Sequence, residues 1–372
     1  MTSVPYKPTR EASQPLKPGP KGVPPPRRIL PKLILSLILG GLFAWLAERG
    51  GVPIFPAAQQ FARVDWAGVG LATGLLAVLT VLRATRWRFL IAPVRRLPLR
   101  EVILVNWVGF FAIFALPLRL GEFVRPALSK LRAGIPISAG LGTVAVERVT
   151  DGAITSLCVA WALWSLPRVE TTDPIARMVP YYAGTVLLVF SGAMLALAAF
   201  LWQRALAVRL TERVFKFFSP ELGSLLARKV DSVADGIRSI GDARLAFGFL
   251  AETLLYWATN ACFMWVLGRA CGMPLELGHA VAVMGVLALG ILLPSGPGLF
   301  GNFQVSASAA LKLYFPAVLV GAQGSVFVFL LYLLNALMML AIGVIPLLRM
   351  HIRLGDLISP RIGESELPPP PL

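Results

Sequence analysis

The sequence predicts an all-α polytopic membrane protein with six full spans, two re-entrant hairpins and a topology that recurs in inverted form. Three observations lead there. The 372 residues are 56% hydrophobic and only 15% charged, against about 45–50% apolar and about 25% charged in a soluble domain. Mean hydropathy is +0.73. The apolar residues gather in runs close to the ~20 needed to cross ~30 Å of hydrocarbon as a helix.

The elements follow in chain order. Residues 1–28, rich in Pro, Lys, Arg and Ser, read as a disordered basic tail. The apolar run 29–47 follows a tail too long for a signal-peptide n-region and has no clean cleavage site, so it reads as a retained first span. Further apolar segments lie at 66–82, 101–118, 137–164, 181–202, 245–268, 278–294 and 324–348. These make 29–348 the membrane domain and 349–372 a loose tail. Segment 203–244 mixes basic and apolar residues at helical spacing and reads as cytoplasmic amphipathic helices on the membrane surface or a helical hairpin packed on the spans.

Charge sets the topology. Thirty-five Lys+Arg against nineteen Asp+Glu give a net charge of +16, and the excess is clustered, as cytoplasmic loops require. The N-terminal tail, the acid-free set Arg83, Arg86, Arg88, Arg95, Arg96 and Arg100, the 203–244 segment and the C-terminal Arg349 and Arg353 all prefer the cytoplasm. An even number of crossings must then separate 83–100 from 203–244, yet three apolar segments lie between them. Leu-Pro-Leu at 116–118 interrupts the first of these, so 101–132 is expected to be a hairpin entering from the cytoplasm. The same count makes 278–316, broken by PSGPGLFGN, a second hairpin entering from outside. Broken backbone at membrane depth needs protein or water around it, and this alternation is the topology of an inverted repeat. Both termini are expected in the cytoplasm, in an inner membrane of bacterial or archaeal type.

Composition excludes several function classes. The charge lies in topological clusters and no basic-aromatic module appears, so nucleic acid is not an expected partner. Cys158, Cys262 and Cys271 have no CxxC spacing, and His279 and His351 stand apart; no metal or other cofactor is expected. There is no P-loop and no nucleophile–base motif.

What the composition does not explain is the charge in LRLGEFVRPALSKLRAGIPISAGLGTVAVERVTDG, 118–152. Lys130 and Arg132 fit the cytoplasmic edge. Arg119, Glu122 and Arg125 share a helix face, as do Glu147 and Asp151, with Arg148 beside them. If the hairpin tip meets the following span, Arg119, Arg125 and Arg148 can face Glu122, Glu147 and Asp151. Such a neutral cluster tolerates depth where a lone charge does not. A purely structural ion-pair network is the alternative. Asn106, Asn260 and Asn335 either line a polar path or hydrogen-bond across helices.

These residues carry a resemblance. RLGEFVRP followed by VERVTDG resembles the transmembrane region of lysylphosphatidylglycerol synthases and related flippase-like proteins, with their R-x-G-E-x-x-R and E-R-x-x-D elements. LPSGPGLFGNFQ, Leu293 to Gln304, resembles the family's Pro-Ser-x-Pro-Gly-x-x-Gly segment through Pro294, Pro297, Gly298 and Gly301. Gln304 stands where the family commonly has Glu. The synthases continue into a soluble aminoacyltransferase domain, whereas this sequence ends at Leu372, so lipid aminoacylation is not expected. The resemblance implies a lipid-handling membrane half, and the expected activity is translocation of an anionic phospholipid or a polyisoprenyl-phosphate-linked intermediate; Arg119, Arg125 and Arg148 are expected to receive the phosphate because a guanidinium suits bidentate phosphate contact. The rival expectations are a membrane partner of a lipid-modifying or glycosyltransferase enzyme, and an intramembrane transferase on a lipid-linked substrate.

Overall fold

The computed structural model describes residues 54–116, 121–165, 242–291 and 297–350, with single positions between 38 and 49 and between 181 and 192. Both tails, the segment 203–241, Arg119 and Pro294 lie outside the described residues. Among those described, every regular element is helical.

A short 3-10 turn, Ala58–Arg63, leads to α1, Trp66–Thr85, which Asp65 caps by accepting from the Ala67 N–H at 3.0 Å. A single turn residue, Arg86, itself helical at φ −56, ψ −28, joins α1 to α2, Trp87–Ile91. The first hairpin is α3, Leu99–Ala115, and α4, Val124–Ala133. Helix α3 ends at Leu116, which is extended at φ −90, ψ 139, because a residue before proline is pushed out of the helical region. Gly134, at φ +63, closes α4. The long α5 covers Ile137–Trp164.

The described chain resumes at residue 242. Helix α6, Ala243–Ala270, is capped by Asp242. Helices α7, Leu277–Gly290, and α8, Asn302–Lys312, form the second hairpin. The final helix begins as the short α9, Ala317–Leu319, widens into a π-turn at Val320–Gly324 and continues as α10, Ser325–Met350.

Two continuous helices among the described residues are long and apolar enough to cross a membrane: Trp66–Ile91, of 26 residues, and Ala317–Pro346, of 30. Helices α5 and α6, each of 28 residues, have the length but carry charge within it. Helices α4, α7 and α8, of 10, 14 and 11 residues, fall short of the ~20 a crossing takes.

Packing is by pairs. Helix α6 runs antiparallel along α1: the Asp65 N–H donates to the Ala270 carbonyl at 2.8 Å at one end, and Gly248 meets Phe89 at the other. Helix α3 packs on α10, and α5 on α7, where Gly285 admits Cys158. One core forms around α1, α6, α7, α8 and α10. A second, around Trp87, Leu90, Val102, Val105, Leu128 and Val146, ties α2, α3, α4 and α5 together. Large exposed side chains such as Leu71, Leu157, Phe247 and Leu254 point away from both, as on helices whose outer faces meet hydrocarbon rather than water.

Candidate functional site

The first hairpin fits together through glycine. A Cβ on Gly121 would overlap the backbone at Ala112 and Ile113, so only glycine lets the returning chain lie against α3. One on Gly109 would stand 3.0 Å from the Arg125 Cβ, and one on Gly140 would stand 3.1 Å from the Pro126 Cβ. Helix α4 is thereby pressed between α3 and α5, and Arg125 faces inward.

The inward guanidinium is fully engaged. Arg125 is 5% exposed and Glu147 1%; Nη2 donates to the Glu147 carboxylate at 2.5 Å and Nη1 to Asn106 Oδ1 at 2.9 Å. Asn106, wholly buried, is itself held by its Nδ2 donating to the Val102 carbonyl one turn back on α3 at 2.8 Å; its Oδ1, accepting from Arg125, makes the bond across helices. The Arg125 guanidinium also lies 5.5 Å from the ring centre of Trp87, whose indole N–H donates to Thr143 Oγ1 at 2.9 Å.

Asp151 has a partner that charge counting assigned elsewhere. Arg86, 2% exposed, makes a two-pronged contact with it, both oxygens at 2.7 Å, and the Trp257 indole N–H adds a third at 3.1 Å. Tyr256 stands 4.8 Å from the Arg86 guanidinium. Arg86 therefore does not belong to a solvated cytoplasmic edge. Arg88 is likewise matched, to Glu252 on α6 at 3.2 Å, which also accepts from the Thr85 hydroxyl. Thr143, Glu147 and Asp151 are spaced four apart on α5 and form one polar stripe, read in turn by Trp87, Arg125 and Arg86.

Glu122 and Arg148 are placed differently. Their closest approach is 3.9 Å, and both are partly exposed. Together with Gly109, Phe110, Ile113, Arg125 and Val144 they line a small pocket beside the hairpin. So the expected cluster is divided. Arg125–Glu147 is a buried pair, Asp151 belongs to Arg86, Glu122 and Arg148 flank the pocket, and Arg119 lies outside the described residues.

The second motif builds the other hairpin's turn. Gly298 and Gly301 adopt φ +71 and φ +81, which a side chain resists. Asn302 Nδ2 donates to the Gly290 carbonyl at 2.8 Å and so closes α7. The Gly301 N–H donates to Gln304 Oε1 at 2.8 Å, a role a carboxylate oxygen would fill as well. A Cβ on Gly298 would stand 3.2 Å from Phe114 and 3.1 Å from the Tyr332 hydroxyl, so this turn touches the end of α3.

Sequence reasoning missed Arg86 because its neighbours are basic and its partner lies 65 positions away. The apolar FLIA at 89–92 was the available signal, since it carries the helix beyond Arg86. Among the described residues no group of His, Cys, Asp and Glu has metal-binding form.

Comparison with known families places this geometry. The model of the lysylphosphatidylglycerol synthase TM region matches residues 33–343, which includes both hairpins and the polar stripe. Neither the curated proteins nor the solved structures return a significant match. The chain belongs to the lysylphosphatidylglycerol synthase TM-region family, a membrane domain related to lipid handling.

Proposed function

We propose that this protein moves an anionic phospholipid or a polyisoprenyl-phosphate-linked lipid between membrane leaflets, without ATP hydrolysis of its own. The observation that carries this reading is the small pocket between Glu122, Arg125 and Arg148, placed beside a hairpin whose first arm ends against the turn of a second hairpin. Widened by a parting of the two hairpins, this pocket would admit a headgroup while its acyl chains stay in hydrocarbon. The two hairpins act as re-entrant elements in an inner membrane of bacterial or archaeal type, with both termini cytoplasmic and six full spans around them.

The exchange of packing partners supports an inverted repeat. Mapping α1, α3, α4 and α5 onto α6, α7, α8 and α10 turns the α3–α10 contact into the α7–α5 contact and returns α1–α6 to itself. That is how two halves related by an axis in the membrane plane pack. Within the site, Glu147 and Asp151 hold Arg125 and Arg86 in place, and Arg148 and Glu122 face the headgroup. Pro297, Gly298, Gly301 and Gln304 shape the opposing turn.

Purified protein in liposomes, carrying fluorescent phospholipids or a polyisoprenyl-phosphate analogue, tests this directly. Translocation above empty liposomes, lost in Arg148→Ala, is the expected result. No protein-dependent translocation of either lipid overturns the reading and favours a scaffold for a separate lipid-modifying enzyme.

A further inference from the structure

Three arginines follow one another on the α1–α2 segment, and the fold treats them unequally. Arg86 has Asp151 and Arg88 has Glu252. Arg83 has no carboxylate among the described residues; its guanidinium lies over the Phe110 ring, 4.2 Å from the centre. It is only partly exposed and sits within a membrane-length helix, where an unmatched charge is costly and tends to be functional.

Its surroundings supply the reason. Arg83 stands one turn before Arg86, and Arg148 one turn before Asp151. The Arg86–Asp151 pair brings those two turns together, close enough for Arg83 to feel the Arg148 guanidinium as well as the Asp151 carboxylate that Arg86 already engages. Phe110 joins them: one face carries Arg83, and the same ring lines the pocket that Arg148 and Glu122 flank. Arg125 and Glu147 cancel. That leaves two guanidinium groups against Glu122, which is 3.9 Å from the nearer one, beyond hydrogen-bond reach. Among the described residues the Arg148 Nε is buried with no hydrogen-bond partner. Counted over those residues, the site carries one positive charge too many and an unmet donor.

We propose that Arg83 and Arg148 together form the receiving site for a phosphate-centred anion, and that Arg83, not Arg125, supplies the second guanidinium. Both donor arms of Arg125 are taken by Asn106 and Glu147. Arg83 is held by an aromatic face, which fixes it without neutralising it, and a guanidinium fork matches two phosphate oxygens. The identification of this anion as a lipid headgroup rests on the lipid-translocation reading; the same chemistry would take a free phosphate ester.

The test is a binding measurement on the full chain in maltoside micelles, with dodecyl phosphate and glycerol 3-phosphate as separate probes. Arg83→Gln and Arg148→Gln are each expected to weaken binding about tenfold, about 1.4 kcal/mol, and Arg83→Lys to weaken it less. Salt should weaken binding to the wild type. Arg132→Gln, at an exposed pair with Glu101, should change nothing. The same pattern with both probes identifies a free ester site, and with dodecyl phosphate alone a lipid site. Wild-type affinity in both Arg83 variants, or no binding of either probe to wild type, overturns the proposal. Binding is read apart from transport: Arg83-dependent binding without translocation removes the translocation reading and keeps the site, and translocation with Arg83-independent binding does the reverse.

Discussion

Removing Glu147 alone should be far more damaging than removing Glu147 and Arg125 together. In Glu147→Leu, Arg125 stays 5% exposed with Asn106 as its remaining polar contact. Two opposite charges with centres ~4 Å apart attract by about 4 kcal/mol at an effective dielectric of 20. Breaking buried pairs from one side destabilises by about 3–5 kcal/mol. Replacing both partners with apolar groups of similar volume removes the desolvation penalty with the attraction, so Arg125→Met with Glu147→Leu should fall within about 2 kcal/mol of wild type. Equilibrium unfolding in mixed micelles with increasing dodecyl sulfate, followed by tryptophan fluorescence, gives all four corners of the cycle. A Glu147→Leu protein within about 1 kcal/mol of wild type would refute the reasoning, because Arg125 would then have found water or a second carboxylate.

Gly121→Ala should destabilise by about 1–3 kcal/mol, since the new methyl meets backbone at Ala112 and Ile113; the same unfolding titration checks it. Gly343→Ala meets Cβ and Cγ of Phe111, the root of a side chain that rotation leaves in place, so a comparable loss is expected. Arg86→Lys should lower stability by about 1–3 kcal/mol, because an ammonium cannot reproduce the two parallel bonds to Asp151; thermal melting of the two proteins compares them. Glu101→Gln, at the partly exposed pair with Arg132, should change stability by less than about 1 kcal/mol, and a larger fall in melting would contradict that placement.

The sequence made some of this legible and hid the rest for physical reasons. The helical class and the break at Leu116 follow from apolar run lengths and a proline. The burial of Arg125 and Glu147 follows from charge set among small residues. The partition of the charges does not, because pairing is decided by which helices touch. Asp151 faces α1 rather than the hairpin, and no spacing within 118–152 reports that. Arg83 and Arg86 are three residues apart in one basic cluster, yet one is matched by a carboxylate and the other by a ring. Gln304 is a departure in charge but not in hydrogen bonding, since its role in the turn needs only an oxygen.

The first hairpin's tight seams have a mechanical consequence. With Gly121 laid on the α3 backbone and Arg125 against Gly109, its two arms have no slack and cannot slide past each other. Any displacement that opens the groove must carry both arms as one lever. The compliance must then lie outside them, where the end of α3 meets the second hairpin's turn through Phe114 and Gly298 and no ion pair joins the two among the described residues.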